Sequence, residues 1–459
     1  MGKLGHGSPA DKEYGWTPHR RSLAALRSPY IPEMAAIIPK RDGSKAGRPN
    51  HHPDHVYLLV LAILGIHGSH RSAIAWLRED TNWYKVRSHA RRFWDIELAT
   101  TPPKRSTVTY NLDRLSPYAD LLSDKFTLLA IEQAQKQGCL IEGPETMSKP
   151  KRGNILVADG TVPKTRITET TRKRLIEKGV KLPEVDEHRE GGEDKGVRVL
   201  GFKELLVAVR PDAFPNSRII LSRTHVPKEK GYGGEAGIAV REMEKLRKLT
   251  KGFLGLRYDG AMTGMHLDAM LKLGVSAISP VPKDNIQRML YDIDCTCGNQ
   301  HTLHTEGGEF VELDVLDTGK TYSVPCKRVE QYSRKNADGT HRWYAKLLLM
   351  CGEHRTERLD TTAADKKLGF NRAHHVRLHP PESQYYKDTY GYRADIESVN
   401  NNLDSTLYRH RMITDTKGRQ ALVVLGFAMA RNAISAEVYA ARLKAGHFSD
   451  PPKELASAA

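Results

Sequence analysis

Two short apolar runs, each stopping at an Asp-Gly pair, constrain this chain most. Asn154-Ile155-Leu156-Val157-Ala158 leads to Asp159-Gly160, and Phe253-Leu254-Gly255-Leu256-Arg257-Tyr258 leads to Asp259-Gly260. A brief apolar run closed by a turn signal reads as a buried strand. A parallel-type sheet would set two such strands side by side, and the ends of its strands are where α/β sheets carry their sites. Taken singly, either Asp-Gly pair also has the composition of a plain turn. Far downstream, Tyr390, Arg393 and Glu397 are spaced by three and then four residues. That spacing predicts one face of one helix, although Gly391 weakens the helix by roughly 1 kcal/mol.

The chain has 459 residues, 71 Lys and Arg against 55 Asp and Glu, and a formal net charge of +16. The length sets an expectation of about two to four domains. The charge favours a polyanionic partner, because each phosphate met by Lys or Arg releases counterions; the plainer reading is a basic soluble protein. Five cysteines make no disulfide framework, which points to a reducing compartment. The start Met1-Gly2-Lys3-Leu4-Gly5-His6 lacks the apolar core of a signal peptide. The longest apolar stretch, Val56 to Ile66, is shorter than the roughly 20 residues that span a bilayer. The expectation is a bacterial-type cytoplasmic, nucleoid-associated protein with no membrane segment.

Residues 1–50 are rich in Lys, Arg, Gly, Pro and Ser and lack periodicity, so they read as a poorly ordered basic arm. Residues 51–150 read as a helical DNA-binding domain of helix-turn-helix type with a connecting helix. Ser69 is a candidate cap for its second helix. The stretch from Lys104 to Arg114 carries Val108, Leu112 and Leu115 on one face, with Lys104, Arg105, Thr109 and Asn111 beside them. Short polar and basic side chains at a helix start are what a recognition helix offers a major groove; an ordinary bundle helix is the competing reading. Strand patterns begin near residue 151, and residues 177–195 read as a charged, exposed loop. The order from 151 to 282 is strand, strand, strand, helix, strand, helix, strand. Residues 283–372 then read as a β-rich insertion, with a hairpin-turn signal at Asn336-Ala337-Asp338-Gly339. Residues 373–446 complete the α/β core, and 447–459 form a tail.

Two strand-end aspartates and a late helical glutamate are what a two-metal phosphodiester-cutting site needs. Hard carboxylate oxygens hold Mg²⁺, and paired metals stabilise the attacking and leaving oxygens of an in-line displacement. On these acidic motifs, the helical N-terminal domain, the β insertion and Asn432 in the last apolar helix, the chain resembles the DDE transposases of bacterial insertion sequences. It is similar to the subgroup with a Tyr-x2-Arg-x3-Glu-x6-Lys signature, matched here by Tyr390, Arg393 and Glu397 over a resemblance spanning roughly residues 50–440. The resemblance implies an α/β, ribonuclease H-like mixed sheet with flanking helices. It also implies that Asp159, Asp259 and Glu397 bind two Mg²⁺ (or Mn²⁺) ions, and that Tyr390 and Arg393 contact phosphates at the element's end. The implied substrates are double-stranded terminal inverted repeats and target DNA, and the implied assembly on DNA is a homodimer. One position departs from the signature: its last residue falls on Asp404, which cannot hold a phosphate as lysine would. Arg409 and Arg411 are the nearest basic residues to take that part.

Two further features lie in the insertion. Cys295, Cys297, Cys351 and His354 have the ligand types of structural zinc, against the plain reading of buried or free thiols. Trp343, among His341, Arg342, Tyr344 and Lys346, is a candidate for stacking on an unpaired base, against the plain reading of a core tryptophan. Trp76, Trp83 and Trp94 read as core. Two other functions stay open: a transposase-derived DNA-binding regulator, and a ribonuclease H-like nuclease without strand transfer.

Overall fold

The computed structural model describes residues 15–40, 52–143, 147–190, 196–229, 231, 233–282, 286–298, 301–315 and 317–447. In chain order the helices are α1 (Pro18–Leu26), α2 (Tyr30–Ala35), α3 (Asp54–His67), α4 (His70–Arg78), α5 (Asp80–His89), α6 (Arg105–Leu115) and α7 (Ala119–Lys136). Next come β1 (Ile155–Thr161), α8 (Glu169–Glu177), β2 (Glu187–Glu190), β3 (Val197–Leu200), β4 (Lys203–Val209), β5 (Ile219–Val226), α9 (Gly234–Leu249), β6 (Gly255–Arg257), α10 (Gly264–Lys272) and β7 (Ser276–Ile278). Seven strands follow: β8 (Arg288–Ile293), β9 (His301–Glu306), β10 (Glu309–Val315), β11 (Thr321–Pro325), β12 (Lys327–Lys335), β13 (His341–Leu348) and β14 (His354–Arg358). The chain ends with α11 (Ala363–Lys367), α12 (Arg372–His375), α13 (Gln384–Thr389), α14 (Ala394–Thr406) and α15 (Lys417–Lys444).

The protein is mixed α/β. Its largest sheet has five strands in the order β5-β4-β1-β6-β7. β1, β6 and β7 run parallel to their neighbours in that series, and β4 and β5 form an antiparallel pair. Smaller antiparallel sheets have the orders β11-β10-β9-β8, β12-β13-β14 and β2-β3. By packing, the chain divides into two compact units. One comprises Met1–Cys139, Gly160–Glu229 and Asp395–Ala459; the other comprises Leu140–Asp159 and Lys230–Ala394.

The first unit is built around α15. Its apolar residues from Ala421 to Ala430 are all buried, and α15 lies along α3, α7 and β5. The helices α3 and α15 meet at glycines. A Cβ on Gly65 would lie 2.4 Å from the Phe427 backbone, and one on Gly426 would lie 2.2 Å from the Leu61 carbonyl oxygen. Only residues without side chains allow that approach. By length and composition α15 alone is apolar enough to cross a membrane among single helices of the described residues, yet 83% of its apolar window is buried inside the fold. Asn432 shows one thing that burial does. Its Oδ1 accepts the Ile220 N–H at 2.8 Å, and its Nδ2 donates to the Ile220 carbonyl at 2.8 Å and to the Tyr30 hydroxyl at 3.1 Å. One amide thereby satisfies both main-chain groups of a residue in β5.

In the second unit, β1 begins with Ile155, Leu156, Val157 and Ala158, all buried, the continuous apolar run expected of a parallel strand covered on both faces. The hairpin β12–β13 turns through residues 336–340, where the Asn336 N–H donates to the Thr340 carbonyl at 2.7 Å, as the turn signal predicts. The indole of Trp343, in β13, is fully buried and donates from Nε1 to the Leu271 carbonyl of α10 at 2.6 Å.

Several sequence expectations need correction. Residues 15–40 of the presumed basic arm are folded: Thr17 caps α1, and Trp16, Tyr30, Ile31 and Met34 are buried. The apolar groups Leu23–Leu26 and Tyr30–Ile38 that carry these two short helices are broken up by basic residues and prolines; residues 1–14 and 41–51 lie outside the described residues. The tail beyond His447 does too. The presumed loop 177–195 contains β2, paired with β3. Tyr390, Arg393 and Glu397 do not share one α-helix. Tyr390–Arg393 forms a 3₁₀ turn and α14 starts at Ala394, consistent with the weak helix preference of Gly391. Trp343 is core, because its strand packs on α10, so its ring has no face for a base. Asn111 is fully buried and donates to the Thr107 carbonyl at 2.9 Å; its place beside Leu112 turns it inward, away from any groove.

Candidate active site

β1 and β6 are parallel neighbours that lead to the two aspartates. Their parallel register pairs Ile155 with Gly255, Leu156 with Leu256 and Val157 with Arg257. Carried two residues further, past the end of β6, that register would set Asp159 opposite Asp259. Residues paired in this way point to the same face, and neighbouring strands lie about 4.8 Å apart. Asp159 is the fifth residue of β1, where burial gives way to partial exposure, and Asp259 lies just past β6.

The position of Asp259 is fixed through its own main chain. Its carbonyl accepts from Ser279 Oγ at 2.8 Å, and its Oδ1 accepts the Ala261 N–H at 2.9 Å. The Tyr258 N–H continues the ladder to the Ile278 carbonyl at 3.0 Å. Tyr258, buried between the two strand ends, reports the local charge. Its hydroxyl pKa is pushed well above the ordinary value of 10.0, first by burial and then by Glu235, with Asp259 and Asp159 adding to the effect. The hydroxyl donates to Glu235 Oε1 at 2.7 Å. Glu235, in the first turn of α9, is therefore a third carboxylate of this neighbourhood. The sequence offered no signal for it beyond an acidic residue at a helix start.

Behind the pair, Arg257 of β6 is fully buried. Its guanidinium donates to Thr389 Oγ1 at 2.9 and 3.1 Å, to the Tyr385 hydroxyl at 3.1 Å and to the Ser276 carbonyl at 3.1 Å. It thereby fastens the end of α13, and with it the Tyr390–Arg393 turn, to the strand that leads to Asp259. Tyr390 is half-buried with its ring stacked on Tyr386 at 5.0 Å between centroids, and Arg393 is half-buried.

Glu397 belongs to the other compact unit. It is exposed in the first turn of α14, where a negative charge suits the helix dipole. Two residues earlier, Asp395 is buried and held by Arg210 at 2.5 Å and Arg218 at 3.0 Å. This clamp sets where α14 begins, and nothing in the local sequence announces it. Asp404 sits near the end of α14 and meets His410 Nδ1 at 2.8 Å. α14 stops at Thr406, so Arg409 and Arg411 lie beyond it. Arg409 adopts a left-handed backbone, and Arg411 donates to the Thr165 carbonyl at 3.1 Å.

On α6, Lys104 and Arg105 are exposed and Thr109 is half-exposed. Thr109 Oγ1 donates to the Arg105 carbonyl at 3.1 Å. Lys104 occupies the cap position with no side-chain cap bond. Arg105 lines an open groove of about 440 Å³ with His70, Arg71 and Arg78 of α4. Ser69 caps α4 as expected, accepting the Ser72 N–H at 3.1 Å.

Three of the insertion's thiols also converge, with one change of partner. Cys295, Cys297 and Cys351 gather with His301, all their donor atoms within 4.8 Å of one another. His354, expected as the fourth member, is an exposed first residue of β14 and lies outside that cluster. No family model and no curated protein matches this chain.

Proposed function

We propose that this protein is a DNA transposase of an insertion sequence, with a ribonuclease H-like core that cleaves and joins DNA with divalent metal ions. The observation that carries the reading is the parallel β1–β6 register, which ends two residues before Asp159 and Asp259 and, if continued, would set them opposite each other. The strand order supports it too: numbered among themselves along the chain, the five strands of the large sheet run 3-2-1-4-5, with Asp159 on the central strand and Asp259 just past the strand beside it. Asp159 and Asp259 would offer hard oxygen ligands of the kind that suits Mg²⁺ or Mn²⁺. Glu397 is assigned as the third ligand from its signature with Tyr390 and Arg393.

When bound, two such ions would supply an activated water and charge stabilisation for in-line displacement at phosphorus. The chain's own residues would position the groups. Asp159 and Asp259 fix the donor face, Arg257 anchors the Tyr390–Arg393 turn, and Tyr390 and Arg393 would bear on phosphates at the element's end. Lys104, Arg105 and Thr109 of α6 would meet the duplex, in a helix-turn-helix-like arrangement, and the net charge of +16 favours that partner. The substrates would be double-stranded terminal inverted repeats and target DNA. Cutting two ends in one complex would call for a homodimer on DNA, in the cytoplasm at the nucleoid.

The test uses a plasmid carrying this gene with its flanking genomic DNA. With Mg²⁺ the full chain is expected to cut at the flanks. Glu397→Gln is expected to bind the same DNA and cut it at background rate. Full cleavage by that variant would remove Glu397 from the site. DNA binding with no metal-dependent cleavage by the wild-type chain would support the regulator reading instead.

A further inference from the structure

The hairpin β8–β9 and the turn between β13 and β14 belong to different sheets, and their tips meet at a cluster of soft ligands. Cys295 and Cys297 lie in the β8–β9 turn, His301 opens β9, and Cys351 lies in the β13–β14 turn. Cys295 Sγ and Cys351 Sγ are 3.5 Å apart, and Cys297 Sγ is 3.1 Å from His301 Nε2. Four donors on a tetrahedron with arms of about 2.3 Å are separated by roughly 3.8 Å. The cluster's upper limit of 4.8 Å therefore encloses one ion and leaves no room for a multi-iron centre.

The local backbone suits such a centre. Cys297 and Cys351 are each followed by a glycine in the left-handed region, Gly298 at φ 83° and Gly352 at φ 91°. In each turn the chain folds back directly after the thiol, which a residue with a side chain resists. The imidazole is oriented from behind. His301 Nδ1 lies 2.7 Å from Glu312 Oε1, and Glu312 is 2% exposed. The other oxygen of Glu312 accepts the N–H of Met350, next to Cys351, at 2.6 Å. A carboxylate on the far nitrogen fixes the ring's tautomer and leaves Nε2 free to coordinate, the arrangement usual for metal-bound histidine. Glu312 thus links the histidine to the turn that brings the third thiol.

We infer that Cys295, Cys297, His301 and Cys351 bind one structural Zn²⁺ ion, with Glu312 orienting His301, and that the ion joins the two sheets of the insertion at their hairpin tips. Three thiolates and one imidazole are a closed, borderline-soft set with no open position, which suits a structural rather than a catalytic ion. Binding sends the thiol protons to solvent, while His301 coordinates as the neutral imidazole. The site is independent of the carboxylate pair and stands whether or not the protein cuts DNA.

The experiment is elemental analysis of the full chain purified without chelators, followed by Co²⁺ substitution. The expected result is about one zinc per chain, and thiolate-to-cobalt charge transfer with the strong visible absorption of tetrahedral cobalt. His301→Ala and Cys351→Ser are expected to lose the ion, while His301→Cys and His354→Ala keep it. Glu312→Gln is expected to keep it with roughly 10- to 100-fold weaker affinity. If the losing variants fail to fold, titration of the chelator-stripped wild-type chain with Co²⁺ reads the same site. A chain that neither carries zinc nor takes up Co²⁺ would overturn the assignment. So would a Cys295–Cys351 disulfide under reducing purification, or metal loss that follows His354 instead of His301.

Discussion

The carboxylate pair on β1 and β6 and the thiol cluster of the insertion are built by opposite means. The pair rests on regular structure: the parallel β1–β6 register runs to within two residues of Asp159 and Asp259, which are 100 positions apart in sequence. The cluster comes from irregular structure: two turns and the first residue of a strand converge where two sheets meet at their tips. The difference teaches what each can tolerate. A site built on strands keeps its geometry whether or not an ion is present, and hard oxygen ligands exchange ions readily. A site built on turns gains much of its order from the ion, because metal binding there is part of the folding free energy.

Three perturbations probe that contrast, the largest first. Trp343→Ala removes a fully buried indole where β13 packs on α10. It is expected to cost about 3–5 kcal/mol, measured by denaturant unfolding, with DNA affinity unchanged in the folded fraction. A loss of DNA affinity without loss of stability would return Trp343 to the DNA-contacting residues.

The second perturbation is pH, acting on the unit that holds the aspartates. His379 is buried against Ser148, just ahead of β1, with its Nε2 2.5 Å from the Ser148 carbonyl. Burial pulls its pKa down from 6.5 to about 3. The unfolded chain therefore takes up the proton first as pH falls. The stability from neutral His379 is complete above pH 6.5 and is lost progressively as pH drops toward 3. At pH 5 this amounts to about 2 kcal/mol, which His379→Gln is expected to remove from the pH profile. An unchanged profile would contradict the buried neutral histidine.

The smallest effect lies outside both regions. Arg105→Ala, at the exposed start of α6, is expected to lower the slope of log affinity against log salt by about 1. Asn111→Ala, at a buried position of the same helix, is expected to leave that slope alone and lower stability. Equal slopes for both variants would contradict α6 as the helix that meets phosphate.

What the sequence made legible follows the same division. The apolar run Ile155–Ala158 appears as a strand where its pattern places it, because that pattern is local. The order in which strands pair is a tertiary fact, but short apolar runs ending in Asp-Gly are a good guide to it in a parallel sheet. The break at Tyr390–Arg393 was foreshadowed by Gly391. The choice of His301 over His354 was not legible, because His354 has the shorter spacing from Cys351 and only the fold brings His301 across to it. Trp343 was misleading for a similar reason: its basic neighbours alternate to the outer face of β13, while its own ring faces α10. Glu235, Glu312 and the Asp395 clamp left no local pattern at all, since each acts through a residue distant in sequence.

The most direct test of the central claim is Mg²⁺-dependent cleavage of the flanked plasmid by the wild-type chain, Asp159→Asn and Asp259→Asn, with DNA binding and unfolding measured on the same samples. The account predicts that both variants fold and bind DNA, and that each loses more cleavage than the roughly 10- to 100-fold typical of groups behind a metal ligand. Cleavage at the wild-type rate by either folded variant would contradict a catalytic pair of aspartates at the ends of β1 and β6.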